Sequence, residues 1–117
     1  MKYALLLYSE GGSLPESMDE ASREAFQKDF REFNRDLGEK QAFVAAQRLR
    51  TTDTATTVRV VDGEALVTDG PFAETKESLA GFFLIECADL DEALDWAKRI
   101  PSARVGSVEV RPIWENY

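Results

Sequence analysis

The sequence predicts an α+β domain in which two amphipathic helices pack on a sheet of short strands. Three observations favour this class: helical spacing of apolar residues between 26 and 37, two β-rich runs around Asp62-Gly63, and an apolar run over residues 79–87. At 117 residues, with 44 % hydrophobic and 31 % charged residues, the chain is long enough to bury a sizeable core. We therefore expect one domain spanning residues 1–117.

The first third of the chain predicts a strand followed by a helix. Residues 2–8 are apolar and aromatic and end before a diglycine breaker, which favours a short strand. Two capping motifs, beginning at Ser13 and Ser17, each place a carboxylate three residues after a hydroxyl and predict the start of a helix. Gly38 is expected to end this helix. The predicted core-facing stripe consists of Phe26, Phe30, Phe33 and Leu37.

The middle of the chain predicts a hairpin inserted between two strands. Residues 42–46 favour a second strand, and residues 56–61 and 65–68 are β-rich runs on either side of Asp62-Gly63. This dipeptide is typical of a two-residue hairpin turn, because its residues accept positive φ angles. Residues 79–87 are hydrophobic on both alternating sides, so this strand must be covered on both faces.

The last third predicts a second helix and a final strand. Asp89 precedes Glu92 at the capping-box spacing, and Pro101 is expected to end the helix. Residues 107–113 alternate apolar and charged side chains, and Pro112 indicates an edge strand or a strand end. The predicted apolar side of the second helix consists of Leu90, Ala93, Leu94 and Ala97.

The order of these elements defines an architecture. With the hairpin set aside, the order strand, helix, strand, strand, helix, strand is the split βαβ arrangement of ferredoxin-like folds. Right-handed crossovers place both helices on one face of an antiparallel sheet, which leaves the other face open. Because residues 79–87 are apolar on both sides, we expect a second copy to cover that open face, giving a homodimeric α/β barrel with an extra hairpin.

Charge and composition exclude several classes of partner. The net charge is −8 and the chain has no His, so a phosphate backbone or an anionic membrane would be repelled over most of the surface. The apolar start ends at Glu10 without a small-residue cleavage site and is interpreted as a strand rather than a signal peptide. The single cysteine, Cys87, favours a reducing cytoplasm and is interpreted as a small core residue.

Residues 67–77, Val-Thr-Asp-Gly-Pro-Phe-Ala-Glu-Thr-Lys-Glu, resemble the signature of DGPF-domain proteins of the YCII-related family. Residues 56–60, 89–93 and 106–112 resemble the family as well, so the likeness covers nearly the whole chain. The resemblance implies a cytoplasmic bacterial dimer with the dimeric α/β-barrel fold, often encoded beside extracytoplasmic-function sigma factors, and without an established activity for most members. YCII-like relatives have a suggested His and Asp dyad in a cleft. This chain has no His, and the resemblance carries over only Asp69.

Several side chains are candidates for a site. Asp69 is a possible base or binding carboxylate on a loop held by a scaffold, but Asp69-Gly70-Pro71 is also explained by turn chemistry, with Phe72 anchoring the loop in the core. A divalent cation could use Asp69, Glu74 and Glu77, although their spacing defines no known site, and we predict no metal and no cofactor. The remaining ligand-binding candidates are Tyr8, Arg48, Glu74, Lys76 and Arg111.

Three functions follow as hypotheses. The first is a homodimeric, non-catalytic module that binds a small organic ligand, because the fold features are present and His is absent. The second is a cofactor-independent lyase, isomerase or oxygenase, with Asp69 as base and Arg48 or Arg111 stabilising an anion. The third is a regulatory partner of an extracytoplasmic-function sigma factor, which rests on the family resemblance alone.

Overall fold

A four-stranded antiparallel sheet carries both helices on one of its faces. The computed structural model describes residues 1–12 and 18–115. The strands of this sheet lie in the order β2-β5-β1-β6, and a separate hairpin pairs β3 with β4. In chain order the elements are β1 (Lys2–Glu10), α1 (Glu20–Glu39), β2 (Phe43–Arg48), β3 (Thr56–Val61), β4 (Glu64–Asp69), β5 (Glu77–Glu86), α2 (Leu90–Arg99) and β6 (Ser107–Pro112). The predicted ferredoxin-like α+β class with an extra hairpin is confirmed.

The two faces of the sheet differ in cover. The register pairs Leu5 with Phe83 and Tyr3 with Ile85, and these four side chains are buried beneath the helices. This helix face forms one core cluster with Phe33 and Leu37 of α1 and Trp96 of α2. The opposite, open face is only half-buried, and it carries Leu6, Tyr8, Phe82 and Leu84. Strand β5 is therefore apolar on both sides, as its sequence predicts.

Helix α1 begins at Glu20 and is capped by Asp19. The Asp19 carboxylate accepts a hydrogen bond from the Ser22 backbone N–H at 2.7 Å, and this bond lowers the pKa of Asp19. The hydroxyl caps expected at Ser13 and Ser17 lie outside the described residues. Burial of the predicted stripe is confirmed, because Phe26, Phe33 and Leu37 are the buried residues of α1 and Phe30 packs against the core at its border.

The expected end of α1 at Gly38 is wrong. Gly38 remains helical, and the residue with the left-handed φ of 57° is Gln41. The Ala42 N–H donates to the Leu37 carbonyl at 3.0 Å and the Gln41 N–H donates to the Gly38 carbonyl at 3.1 Å. These two bonds form a Schellman motif that has Gln41 in the position usually held by glycine. The helix overruns Gly38 because burial of Leu37 fixes where the chain turns towards β2.

Helix α2 buries a different side from the one predicted. The capping box is confirmed, since Asp89 accepts from the Glu92 N–H at 3.0 Å and Glu92 accepts from the Ala88 N–H at 2.9 Å. Leu90 and Leu94 are exposed, while Trp96 is buried with Ala93 and Ala97. Trp96 occupies the buried position because its ring packs edge-on against Phe33 of α1, with ring centroids 5.8 Å apart.

The β3–β4 hairpin confirms its predicted turn. Asp62 and Gly63 have φ angles of 51° and 80°, as a type I′ turn requires. Among the residues that the structure describes, the two strands make extensive contacts only with each other, and the hairpin projects from the end of the sheet where β2 stops. No helix in residues 1–12 and 18–115 is long and apolar enough to cross a membrane.

Candidate functional site

A cavity of about 490 Å³ lies between α1 and the sheet. Its walls come from the middle of α1, from the end of β2 and the middle of β5, and from the helix face of β1 through Leu7 and Ser9. Ser102 and Val105, which follow α2, close a further side. A volume of this size falls in the range of small-molecule sites in proteins.

The apolar wall of the cavity is built from phenylalanines. Phe26 and Phe30 meet edge-on with ring centroids 5.1 Å apart, and Phe30 and Phe83 lie nearly parallel, with an interplanar angle of 11° and a centroid distance of 6.5 Å. Phe83 is held in turn by Phe33 beneath it, at 5.3 Å and 81°. The core of the fold therefore fixes one side of this aromatic wall.

The polar lining is basic and neutral. Gln27, Arg31 and Asn34 face the cavity from α1, and Arg48 borders it at the end of β2. No Asp or Glu is found among the described residues that line the cavity, although the chain has 22 acidic residues and a net charge of −8. Neither arginine forms an ion pair with a described residue. The cavity is therefore a locally positive site on an acidic protein.

Arg48 is positioned by the close approach of two strands. Register pairs Arg48 with Gly81 of β5, and the Leu49 N–H donates to the Ala80 carbonyl at 2.9 Å just beyond. A Cβ atom at Gly81 would lie 2.7 Å from the Gln47 carbonyl oxygen, so only glycine allows the strands to come this close. Arg48 also lines an adjoining recess together with Arg50, which extends the basic border of the cavity.

The candidates of the signature loop lie outside this cavity. Asp69 ends β4 and is exposed, and its carboxylate accepts no hydrogen bond from a described residue. Glu74 and Lys76 are exposed in the loop before β5. Among the described residues, no group of three His, Cys, Asp or Glu side chains is placed to hold a metal ion. The described lining of the cavity therefore includes Arg48 but not Asp69, Glu74 or Lys76.

Tyr8 and Arg111 lie on the other side of the sheet. Tyr8 lies on the open face, because its neighbours Leu7 and Ser9 point to the helix face. Arg111 pairs with Ala4 on that same open face and forms an ion pair with Glu109 at 3.2 Å. Since β2 and β6 are the two edges of the sheet, Arg48 and Arg111 lie at opposite edges within one chain.

The expected anchoring of Phe72 in the core is wrong. Its side chain is 76 % exposed, and the loop is held by two hydrogen bonds to the backbone of Gly70 instead. The Gly70 N–H donates to the Ala55 carbonyl at 2.7 Å, and the Thr57 hydroxyl donates to the Gly70 carbonyl at 2.8 Å. Gly70 has a φ of 100°, which explains a glycine here without any role in a site.

Cys87 is confirmed as a core residue. Its side chain is buried, and burial is the main cause that raises the pKa of the thiol. The Sγ atom donates a weak hydrogen bond to the Asp89 carbonyl at 3.5 Å. Cys87 does not line the cavity, so its chemistry is that of a protonated packing residue.

The polar residues of α1 are the part of the site that the sequence interpretation missed. Gln27, Arg31 and Asn34 repeat the four-three spacing of Phe26, Phe30 and Phe33, shifted by one residue. They form a polar stripe that runs along the border of the core-facing stripe. The rest of the helix surface holds many acidic residues, whereas this stripe has none. That contrast is the signal that could have identified the three residues as part of a site.

The fold and cavity define an α+β protein with a ferredoxin-like sheet and a small-molecule-sized cavity on its helix face. The model of the YCII-related domain matches residues 1–116, and the chain belongs to this family. The chain is also 43 % identical over 115 residues to an uncharacterised protein of Rhizobium meliloti. That similarity covers 97 % of this chain and 92 % of the relative, so the two proteins share the whole domain.

Proposed function

We propose that this protein is a homodimeric module that binds a small, partly apolar molecule in the cavity between α1 and the sheet. The observation that carries the proposal is a half-open cavity of about 490 Å³ with aromatic walls and a few polar side chains at its border. Ligand sites in proteins combine these features, with apolar surface supplying affinity and a small number of polar groups fixing orientation.

The signature loop supports the enzyme hypothesis less well. Asp69 would have to act as a base on a bound substrate, but it lies at the end of β4 and does not line the cavity. A general base must come within hydrogen-bond reach of the proton that it removes. The positions of the side chains therefore favour ligand binding over a reaction catalysed by Asp69.

The open face of the sheet supports the dimer. Leu6, Tyr8, Phe82 and Leu84 form a continuous surface that no element of the described chain covers. Two copies packed through this surface, sheet against sheet, would bury it and produce the dimeric α/β barrel expected from the sequence. A buried apolar area of several hundred Å² would provide many kcal/mol of association free energy, at about 25 cal/mol per Å².

Ligand binding is tested by filling the cavity. We expect some members of a library of neutral and ionised small molecules to raise the melting temperature of the wild type. Ala46→Leu should abolish this stabilisation, because Ala46 lines the cavity. Ala25→Leu is the matched control, since Ala25 is an exposed residue of α1 that does not line it. A library without any stabilising compound, or equal stabilisation of Ala46→Leu, would contradict the proposal.

The dimer is tested by light scattering coupled to size exclusion. We expect a dimer at micromolar protein concentration and a monomer for Leu84→Arg, which places a charge in the open face. Leu94→Arg is the control, because Leu94 is exposed on α2 and should leave the dimer intact. A monomeric wild type would refute this part of the proposal.

A further inference from the structure

We propose that the ligand of the cavity is a planar aromatic carboxylate, held by Arg31 and Arg48. This inference rests on the proposed ligand-binding function and names the chemical class of the ligand. It depends on the aromatic wall and on the sign of the charges that border the cavity.

The aromatic wall selects a flat apolar body. Phe30 and Phe83 are nearly parallel, and both line the cavity, so a third ring placed against them continues an existing stack. Aromatic pairs in stacked or edge-on geometry gain stability beyond that of the buried area alone. The edge-on ring of Phe26 limits the space beside Phe30 and favours a thin ligand over a globular one.

The border of the cavity selects an anion. Arg31 and Arg48 line it from two different walls, α1 and β2, and neither is neutralised by a described carboxylate. Arg99, Arg104 and Arg111 form ion pairs with described carboxylates, whereas several exposed arginines outside the cavity do not. The choice of an anion therefore rests on the lack of Asp and Glu in the described lining. A guanidinium group binds a carboxylate with two parallel hydrogen bonds, which makes a carboxylate the best-matched anion for these positions.

The neutral amides favour an acid with additional polar atoms. Gln27 and Asn34 flank Arg31 at one helical turn on either side, and each offers a donor and an acceptor to the cavity. A hydroxyl on the aromatic ring could use either group. A cation is disfavoured, since the described lining has no carboxylate to balance it.

The experiment compares matched ligands by calorimetric titration. We expect 2-naphthoate to bind the wild type about tenfold more tightly than 2-naphthamide, because the amide lacks the charge that a guanidinium binds. Arg48→Gln or Arg31→Gln should reduce this preference to about threefold or less. Arg35→Gln, which removes the same charge from α1 outside the cavity, should keep the full preference.

The possible results separate the two proposals. The carboxylate assignment is overturned if 2-naphthoate and 2-naphthamide bind equally well, or if Arg31→Gln and Arg48→Gln both keep the full preference for the acid. In either case the proposed ligand binding stands as long as neutral compounds bind. Tighter binding of a saturated bicyclic acid than of 2-naphthoate overturns the aromatic assignment. If no compound of any class binds the wild type, the proposed function and this inference fail together.

A second and independent observation concerns the hairpin. Register places Val58 opposite Val67 and Val60 opposite Ala65, so these four side chains share one side of the ribbon. Val58, Val60 and Val67 are 61 %, 69 % and 67 % exposed, and with Ala65 they form what we call the apolar side of the hairpin. The pair of residues 56 and 69 ends this side at the base of the hairpin. The other side is mixed, since Arg59 and Glu64 lie there.

No described element outside the hairpin packs extensively on it. An isolated two-stranded ribbon is marginally stable in water and needs a packing surface. The Cα radius of gyration is 16.2 Å, whereas a compact chain of this length has about 13 Å, and the difference reflects the projecting hairpin. The apolar side of the hairpin exposes on the order of 300 Å², which is comparable to the largest apolar patch on a typical monomer, and such patches are often functional.

We infer that the hairpin is an arm that packs on a second copy of this chain. This inference rests on the proposed dimer. A stable interface needs about 800 Å² from each partner, and the apolar side of the hairpin would add its area to that of the open face. Two copies with a net charge of −8 each are favoured to meet where the surface carries little net charge. The open face meets this condition because its Arg111 and Glu109 form an ion pair, and the valines of the hairpin meet it as well. Two-fold symmetry makes the arm contact occur twice in the dimer, once for each copy.

The test compares two double variants by sedimentation. Val58→Thr with Val67→Thr should weaken the dimer at least tenfold, because threonine keeps the branched shape that suits a strand but removes the apolar contact. Val61→Thr with Leu66→Thr changes the other side of the ribbon and should alter the dissociation constant less than about threefold. Circular dichroism checks that both variants fold.

Each result of this comparison has a clear meaning. If neither double variant weakens the dimer while Leu84→Arg dissociates it, the arm is wrong and the proposed dimer stands. If both double variants weaken the dimer equally, the arm does not pack through its apolar side and the inference is overturned. A wild type that is monomeric at all concentrations refutes both the dimer and the arm.

Discussion

For Gly38→Ala at the end of helix α1, the sequence-based interpretation and the structure predict stability changes of opposite sign. If Gly38 held the left-handed position, Gly38→Ala would strain the backbone and destabilise the protein. In the structure Gly38 is helical, and an added Cβ meets no atom within 4 Å. Alanine should therefore stabilise the helix by about 0.5–1 kcal/mol, because it loses less conformational entropy than glycine on folding.

The complementary change is Gln41→Gly. Gln41 has a φ of 57°, a conformation that glycine adopts without steric strain. Relief of this strain is offset in part by the entropy of glycine, so the expected gain is again about 0.5–1 kcal/mol. The double variant should gain about 1–2 kcal/mol, which for a domain of this size raises the melting temperature by roughly 4–8 °C.

Thermal and urea unfolding at one fixed protein concentration measure both effects. The fixed concentration matters because association would shift the melting temperature by mass action. An unchanged urea m-value should accompany the higher midpoint. A lower melting temperature for Gly38→Ala would refute the assignment of the helix end to Gln41, since it would show that glycine is required at position 38.

Four further predictions follow from the same structure. Gly106→Ala should destabilise by about 2 kcal/mol or more, because its Cβ would overlap the Tyr8 carbonyl oxygen and the strands must separate; urea unfolding measures this. Phe33→Leu should cost about 1–3 kcal/mol in the same assay through two lost edge-to-face contacts. The pKa of Asp19 is lower in the folded protein than in the unfolded chain, so its ionised cap stabilises the fold fully at pH values above the unfolded pKa. The melting temperature of the wild type should therefore lose its advantage over that of Asp19→Asn as pH falls through the folded pKa. The raised pKa of Cys87 keeps the thiol protonated in the folded protein, and its contribution to stability is lost as pH rises through that folded pKa. Iodoacetamide should therefore alkylate the folded protein near pH 8 much more slowly than the protein unfolded in urea.

Local chemistry made much of the fold predictable. The Asp62-Gly63 turn was predictable because positive φ angles at two consecutive residues restrict the choice of residue within the turn itself. Strand β5 was predictable because a run that is apolar on both sides has no other stable place than the centre of a sheet. Neither inference needs information about distant parts of the chain.

The errors occurred where distant contacts decide the outcome. Leu90 and Leu94 fit an apolar stripe as well as Trp96 does, and only the position of Phe33 on α1 selects the tryptophan. The cavity was hidden for the same reason. Gln27 and Arg31 are ordinary polar positions of an amphipathic helix until the path of β2 is known, because a cavity is a property of the space between elements.

Dimerisation and ligand binding are connected through the segment that follows β2. Arg48 lines the cavity, and the residues after it lead through an adjoining recess into β3, the first strand of the hairpin. An arm that packs on a second copy would fix this segment and with it the position of Arg48. By thermodynamic linkage, a ligand that binds the dimer more tightly than the monomer must strengthen the dimer by the corresponding factor. The dissociation constant of the dimer should therefore fall when an aromatic carboxylate is added, and this effect should be lost in Arg48→Gln. A dimer of unchanged affinity in saturating ligand would show that the arm and the cavity act independently.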